Sequence, residues 1–280
     1  MKEHRLSDKD FKRLSEFIYD FVGIKMPPAK KVMVEGRLAK RIRLLGRKDY
    51  EDYCNFVFSP EGQRLELIHL IDVITTNKTD FFREPTHFDY LTNQALPLLL
   101  QSSTSRKIRF WSAGCSTGEE PYTLAIVLSE FHAKYGQPPA GFNILATDIS
   151  TRVLDTARKA VYTSDRIGPI PMPLRRKYLL KSRDPRSDLV RVIPDLRRMV
   201  TFGRLNFMDE EFGLQDLMDV IFCRNVIIYF DKKTQEQLIK KFCRHLRPGG
   251  FLFLGHSESL HGYDLPLVQV APTVYQKPVG

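Results

Sequence analysis

Long apolar runs are absent from this chain. No stretch holds about eighteen uncharged apolar residues, which excludes a membrane-spanning helix of ordinary length. Cysteine is scarce as well. Cys54, Cys115, Cys223 and Cys243 stand far apart, with no C-x-x-C pair and no His/Cys grouping at zinc spacing, so neither a disulfide scaffold nor a metal site is expected. The seven histidines are scattered, and none pairs with a carboxylate or a cysteine at a catalytic spacing. His256 alone falls near the expected ligand-binding edge, where a surface or capping role suits it. The opening MKEHRLSDKD is charged where a secretory leader needs an apolar core, so a cytoplasmic protein is expected.

What is present accommodates a full α/β domain with a smaller companion: 280 residues, 42% of them hydrophobic. The formal charge of +10 predicts an anionic partner, whether nucleic acid, phospholipid or acidic protein. The excess forms two patches. Lys30 to Lys48 holds eight basic residues against Glu35, and Leu174 to Arg204 holds ten against three aspartates.

Ser7 with Asp10 marks a helix start, and Phe11, Leu14, Ile18 and Phe21 recur at helical spacing until Gly23. After Pro27-Pro28, Val34, Leu38, Ile42 and Leu45 mark a second helix, with Lys30, Arg37 and Arg41 on a neighbouring stripe. Tyr50 to Phe58 and Glu61 to Ile74 read as two more, so residues 1–75 form an all-helical domain followed by a linker, 76–106. From residue 107 to 280 the pattern becomes short apolar runs alternating with helical stretches: IRFW, FNILAT, MVTFGRL, DVIFC and FLFLG. That alternation predicts a mostly parallel, Rossmann-like sheet. Tyr162 to Arg198 is too long for a plain crossover, and Leu189 to Ile193 alternates like a strand, so a small β-subdomain is expected at about 162–198. Pro272 to Lys277 reads as a last edge strand.

The first strand of this domain runs into Gly114-Cys115-Ser116-Thr117-Gly118 and then a helix. Glycine there lets backbone approach a ligand at the carboxyl end of the sheet. The spacing G-x-x-x-G is neither the dinucleotide fingerprint nor a P-loop. Glu119 and Glu120 at the helix entrance would repel a pyrophosphate but suit the ammonium and sulfonium of S-adenosylmethionine; equally, they stabilise a helix N-terminus. Asp148 ends the second strand, where an acid binds ribose hydroxyls or caps a helix. Asn206-Phe207 ends the third and suits an adenine ring, or a turn with a core aromatic. Arg224-Asn225-Val226-Ile227-Ile228-Tyr229 ends the fourth, where a transferred methyl should lie. The [DN]-P-P-[YF] string expected of an enzyme methylating a base amine is missing there. A carboxylate acceptor, with a reference pKa of about 4.3 for Glu, needs orientation and no general base.

TTNKTDFFRE (75–84), SAGCSTGEEPY (112–122), FCRNVIIYFD (222–231) and LRPGGFLFLGHSES (246–259) together resemble the CheR-type chemotaxis receptor methyltransferases, in order and over nearly the whole chain. The resemblance implies a class I methyltransferase fold with a helical N-terminal domain and an inserted β-subdomain. It implies transfer from S-adenosylmethionine to glutamate side chains on the cytoplasmic helices of chemoreceptors, leaving S-adenosylhomocysteine. It places Asn77, Thr79 and Arg83 of the linker at the cofactor with Gly114, Glu120, Asp148, Asn206, Phe207, Arg224 and Asn225. Tyr229 falls beside the transferred methyl, where its hydroxyl orients the incoming carboxylate. Arg37, Lys40 and Arg41 face the receptor, and the β-subdomain sits where some relatives dock a receptor's C-terminal peptide. No nucleic acid, no membrane insertion and a monomer are implied. Cys115 is read as filler in the loop.

Overall fold

The computed structural model describes residues 5–102, 106–136 and 141–279. The helical domain opens with α1 (Asp8–Val22), whose Ser7 cap accepts from Asp10 N–H and whose end is turned by Gly23 at φ 73°. It continues with α2 (Lys31–Leu44), α3 (Tyr50–Val57), α4 (Pro60–Leu65) and α5 (Leu67–Ile74). Leu14, Ile18, Val34, Leu38, Tyr53 and Ile71 make its core. The single helix expected over 61–74 is two. It breaks at Glu66, whose side chain turns inward to Arg41 and Tyr53.

The linker is helical from Thr86: α6 (Thr86–Tyr90), a π turn (Leu91–Ala95) and α7 (Leu96–Ser102). Then come β1 (Ile108–Ala113), α8 (Glu119–Tyr135), β2 (Phe142–Asp148) and α9 (Thr151–Lys159). The insertion is β3 (Val161–Thr163), α10 (Met172–Tyr178), β4 (Leu179–Lys181), β5 (Leu189–Val192) and α11 (Pro194–Arg198). Its strands pair antiparallel in the order β3-β5-β4, a sheet separate from the main one. The chain closes with β6 (Val200–Arg204), β7 (Met218–Cys223), α12 (Lys232–His245), β8 (Leu246–Leu254), β9 (Val268–Ala271) and β10 (Val274–Gln276).

The main sheet has seven strands in the order β6-β2-β1-β7-β8-β10-β9. The first five run parallel, and β10 is antiparallel to both neighbours. Pro272 to Lys277 therefore does not supply the edge: β10 is flanked by β9, whose exposed residues hide the alternation that would have marked it as a strand. Strand order reverses between β1 and β7, and an open parallel sheet binds ligands at the carboxyl ends beside such a reversal. Among the described residues no helix is long and apolar enough to cross a membrane.

At the opposite end of β7, Asp219 is fully buried and takes Arg106 Nη1 at 2.7 Å and Nη2 at 2.6 Å, with Arg109 N–H at 2.8 Å. Asp219 thereby locks the start of β1 to β7, although Arg106 is 36% exposed. Removing the carboxylate leaves the Arg109 N–H without its acceptor and costs about 2 kcal/mol. Asp219→Ala is therefore expected to lower the unfolding free energy by that amount in a urea titration, and a change below about 1 kcal/mol would contradict the account.

Candidate active site

A cleft with about 1030 Å³ of empty space, counting the part open to solvent, runs between the helical domain and the carboxyl ends of β1, β2, β6 and β7. Its sheet side presents Gly114, Ser116, Glu120, Asp148, Leu205, Phe207, Arg224 and Asn225. Its other side presents Val22, Ile24, Met26, Lys30 and Met33 from the helical domain, and Asn77, Lys78, Thr79 and Arg83 from the linker. Tyr229 lies on it as well. All eleven residues expected at the cofactor or the methyl, drawn from five separate segments, line this one cleft.

Gly114 has φ 84°, and a Cβ there would lie 2.6 Å from Val226 Cγ2, so no other residue lets β1 and the β7 turn close together. Ser116 N–H donates to Asp148 Oδ2 at 2.8 Å and Ser150 N–H to Oδ1 at 3.0 Å. Burial pushes the Asp148 carboxyl up, and those N–H groups offset only part of the rise. Ser116 Oγ donates to Asn77 O at 3.0 Å, tying the linker to the glycine loop. Cys115 is buried and its thiol is pushed up, so it stays protonated and inert.

Glu120 and Arg224 meet at the centre. Arg224 Nε donates to Glu120 Oε2 at 2.8 Å, and Ser112 Oγ to Glu120 Oε1 at 2.7 Å. Arg224 Nη1 donates to Arg83 O at 2.7 Å, and the guanidinium lies 5.1 Å from the Phe88 ring and 5.4 Å from that of Phe222. Asn225 adopts φ 58°, donates Nδ2–H to Glu84 Oε1 at 3.3 Å, and leaves a buried Oδ1 with no donor. Tyr229 is half-buried, and burial pushes its phenol up, leaving it a neutral donor.

Several of these residues have partners that the sequence does not reveal, and Glu119 is the weaker of the two helix-entrance candidates. Glu119 is fully buried and pairs with Arg166 and Thr117 Oγ1, so only Glu120 of the two carboxylates reaches the cleft. Asn206 lines the cleft, but its amide is spent on backbone: Nδ2–H donates to Phe21 O at 2.7 Å and Oδ1 accepts Met208 N–H at 3.1 Å. Of the receptor-facing row, Arg37 donates to the carbonyls of Ile74 at 2.8 Å and Thr75 at 3.0 Å, closing the end of α5. Arg41 forms a two-point pair with Glu66, which is 1% exposed. Those two guanidiniums are internal struts because α2 packs on α5; Lys40 alone of the three is exposed.

Other residues of the site had no local signal. Glu258 is 3% exposed and accepts N–H from Gly255 at 2.6 Å, Asn225 at 2.8 Å and Ile228 at 3.3 Å, so it holds the whole turn that carries Tyr229. Burial pushes this carboxyl up against those hydrogen bonds. Glu84 and His87 sit beside Arg224. Glu84 and Glu258 fall within the family-like strings, whereas His87 falls outside all of them.

Residues 9–75 match the all-alpha domain of the CheR methyltransferases, and residues 77–275 match their SAM-binding domain. A chemotaxis protein methyltransferase of Borreliella burgdorferi is 41% identical over 275 residues, 97% of this chain and 95% of that protein. Chemotaxis protein methyltransferase 2 of Pseudomonas aeruginosa is 36% identical, covering 98% and 95%, and the Escherichia coli chemotaxis protein methyltransferase is 37% identical, covering 96% and 91%.

Two stability measurements check the electrostatics. Arg41→Ala should destabilise the protein by about 3 kcal/mol, because it strands a buried carboxylate; a surface arginine would shift the unfolding midpoint hardly at all. His87 is held down to about 4 by burial and then by Arg224, against the pull of Glu84. The unfolded chain therefore binds this proton first. Stability is whole above pH 6.5 and falls as pH drops from there toward 4, a slope that His87→Asn should reduce by up to one proton. An unchanged slope in the variant would contradict a neutral buried His87.

Proposed function

The chain belongs to the CheR methyltransferase family and is an S-adenosylmethionine-dependent methyltransferase of chemotaxis, and from that premise we propose that its acceptor is a glutamate carboxylate on the cytoplasmic helices of chemoreceptors. The observation that carries this reading is the division of charge in the cleft. Among the described residues that line it, the carboxylates Glu120 and Asp148 lie on the sheet side, where the one cation, Arg224, is paired with Glu120, whereas Lys30, Lys78 and Arg83 lie on the side of the helical domain and linker. An acceptor entering from that side meets cations.

The residues fit the cofactor. Glu120, Asp148 and the unsatisfied Asn225 Oδ1 make the sheet side rich in acceptors, suited to an ammonium, ribose hydroxyls and an adenine amine. S-adenosylmethionine supplies a methyl on a sulfonium, so that a carboxylate oxygen forms the new C–O bond as the C–S bond breaks, with no proton transferred. Glu120 takes the amino group, Arg83 the carboxylate of the methionine end, and Asp148 the ribose. Asn77 and Thr79 close the linker over the cofactor. Phe207 walls the adenine side, and Asn206 serves there by fixing Phe21 and the cleft wall. Tyr229 donates from its neutral hydroxyl to one acceptor oxygen and aims the other at the methyl. Since the acceptor is already ionised, the lack of a histidine among the cleft's lining residues is no obstacle.

Lys40, with Arg43 beside it on the exposed side of α2, offers the receptor a cationic face. The three-stranded subdomain, with exposed Lys181 and Arg191, offers a place for a receptor's C-terminal peptide. The enzyme acts as a cytoplasmic monomer in this reading.

Incubating the protein with methyl-labelled cofactor and receptor-bearing membranes should label the receptor with esters that mild alkali releases. Alkali-stable label, or label on RNA or DNA instead, would overturn the acceptor assignment. Tyr229→Phe should lower kcat about tenfold, the worth of one hydrogen bond made in the transition state, with S-adenosylhomocysteine affinity unchanged. Arg83→Ala should weaken that affinity about tenfold.

A further inference from the structure

Glu84 and His87 of the linker and His256 after β8 bring their ligand atoms within 4.8 Å of one another. Such a set could hold a zinc ion. A cation of the chain already stands against two of the three, Glu84 and His87. Arg224 Nη1 lies 3.3 Å from His87 Nδ1 and 3.6 Å from Glu84 Oε2. That Glu84 oxygen is buried and makes no hydrogen bond, so the guanidinium is the charge that compensates it.

The tautomer of His87 follows from its other neighbour. Thr273 Oγ1 donates its proton to Pro272 O at 2.8 Å, so toward His87 Nε2, 2.9 Å away, this oxygen can only accept. Nε2 therefore carries the hydrogen. Nδ1 is left with a lone pair; of its two polar neighbours, Arg224 Nη1 at 3.3 Å can donate to it, and Glu84 Oε2 at 3.4 Å cannot. A chain of contacts then runs from the β9–β10 turn into the cleft: Thr273 fixes the His87 ring, Nδ1 accepts from Arg224, Arg224 Nε donates to Glu120, and Ser112 completes Glu120.

We propose that His87 is a positioning residue for methyl transfer, holding the Arg224 guanidinium so that Glu120 is presented to the cofactor in one orientation. It touches neither cofactor nor acceptor. The proposal rests on the assignment of Glu120 to the cofactor's amino group. Its mark is a dependence on an acceptor at Nδ1 that filling the same space with carbon cannot supply.

The test compares wild type, His87→Phe, His87→Asn and Thr273→Val for S-adenosylhomocysteine affinity by calorimetry and for steady-state kinetics. His87→Phe should weaken binding and raise the cofactor KM about tenfold, with kcat within about twofold. His87→Asn, whose amide oxygen accepts where Nδ1 did, should recover affinity to within about threefold of wild type. Thr273→Val is a partly exposed change that leaves the ring in place; by freeing the tautomer it should cost about threefold. Wild-type affinity in both His87→Phe and Thr273→Val would overturn the proposal, as would equal losses in His87→Phe and His87→Asn. Micromolar, stoichiometric zinc binding by wild type that His87→Asn abolishes would overturn it in favour of a metal site. Failure of wild type itself to bind S-adenosylhomocysteine would instead contradict the cofactor assignment on which it rests.

Discussion

The site depends on keeping one guanidinium, that of Arg224, charged and stationary while it is only 7% exposed. Taking a charge out of water costs several kcal/mol unless partners compensate it. Arg224 is met by Glu120 on α8, Glu84 and the Arg83 carbonyl in the linker, His87 on α6, and the faces of Phe88 and Phe222. The partners come from three places in the chain, residues 83–88, α8 and β7, so the compensation exists only when the linker, α8 and the end of β7 are docked together. Cofactor cleft and domain junction are thus one electrostatic unit. Glu84 shows the same coupling: burial alone would raise its carboxyl, yet His256 N–H, Arg224 and Asn225 bring it below its ordinary value.

Around this hub the backbone is strained in a pattern that follows the cleft. Phe82, Glu84, Ser116 and Asn225 all have positive φ, from 49° to 58°, and none is glycine. Such conformations persist only where the surroundings over-determine them. Here the determinants are visible. Phe82 N–H is held by Thr123 Oγ1 at 3.1 Å, Ser116 N–H by Asp148, and Asn225 N–H by Glu258. The carboxylates that shape these turns are built into the protein, so the acceptors of the cleft stand ready without a ligand.

Much of this was legible in the sequence because it is local. Apolar periodicity located α1, α2, α3 and the five parallel strands, and the alternation of strand and helix implied where their carboxyl ends would gather. The strings around Asn77, Gly114, Arg224 and Tyr229 then named residues that share one cleft. What stayed hidden was pairing across the chain. Arg37, Lys40 and Arg41 read as a partner-facing set until α5 packs on α2 and engages Arg37 and Arg41. Glu119 and Glu120 are adjacent and look alike, yet one faces Arg166 and the other Arg224. Asn206 looked like a ligand contact because nothing in its own neighbourhood reveals that Phe21, far back in α1, takes its amide. Strand β9 escaped notice because a strand exposed on both faces carries no alternation.

The central claim is that a preformed Arg224–Glu120 pair, braced from the linker, receives the amino-acid end of the cofactor. A crystal structure of the S-adenosylhomocysteine complex tests it most directly. The ligand is expected in the cleft under Asn77 and Thr79, its amino group on Glu120, a donor now satisfying Asn225 Oδ1, and Arg224 still bound to Glu120 and to the Arg83 carbonyl. A ligand whose amino group lies away from Glu120, or an Arg224 that has swung off its partners to reach it, would contradict the account.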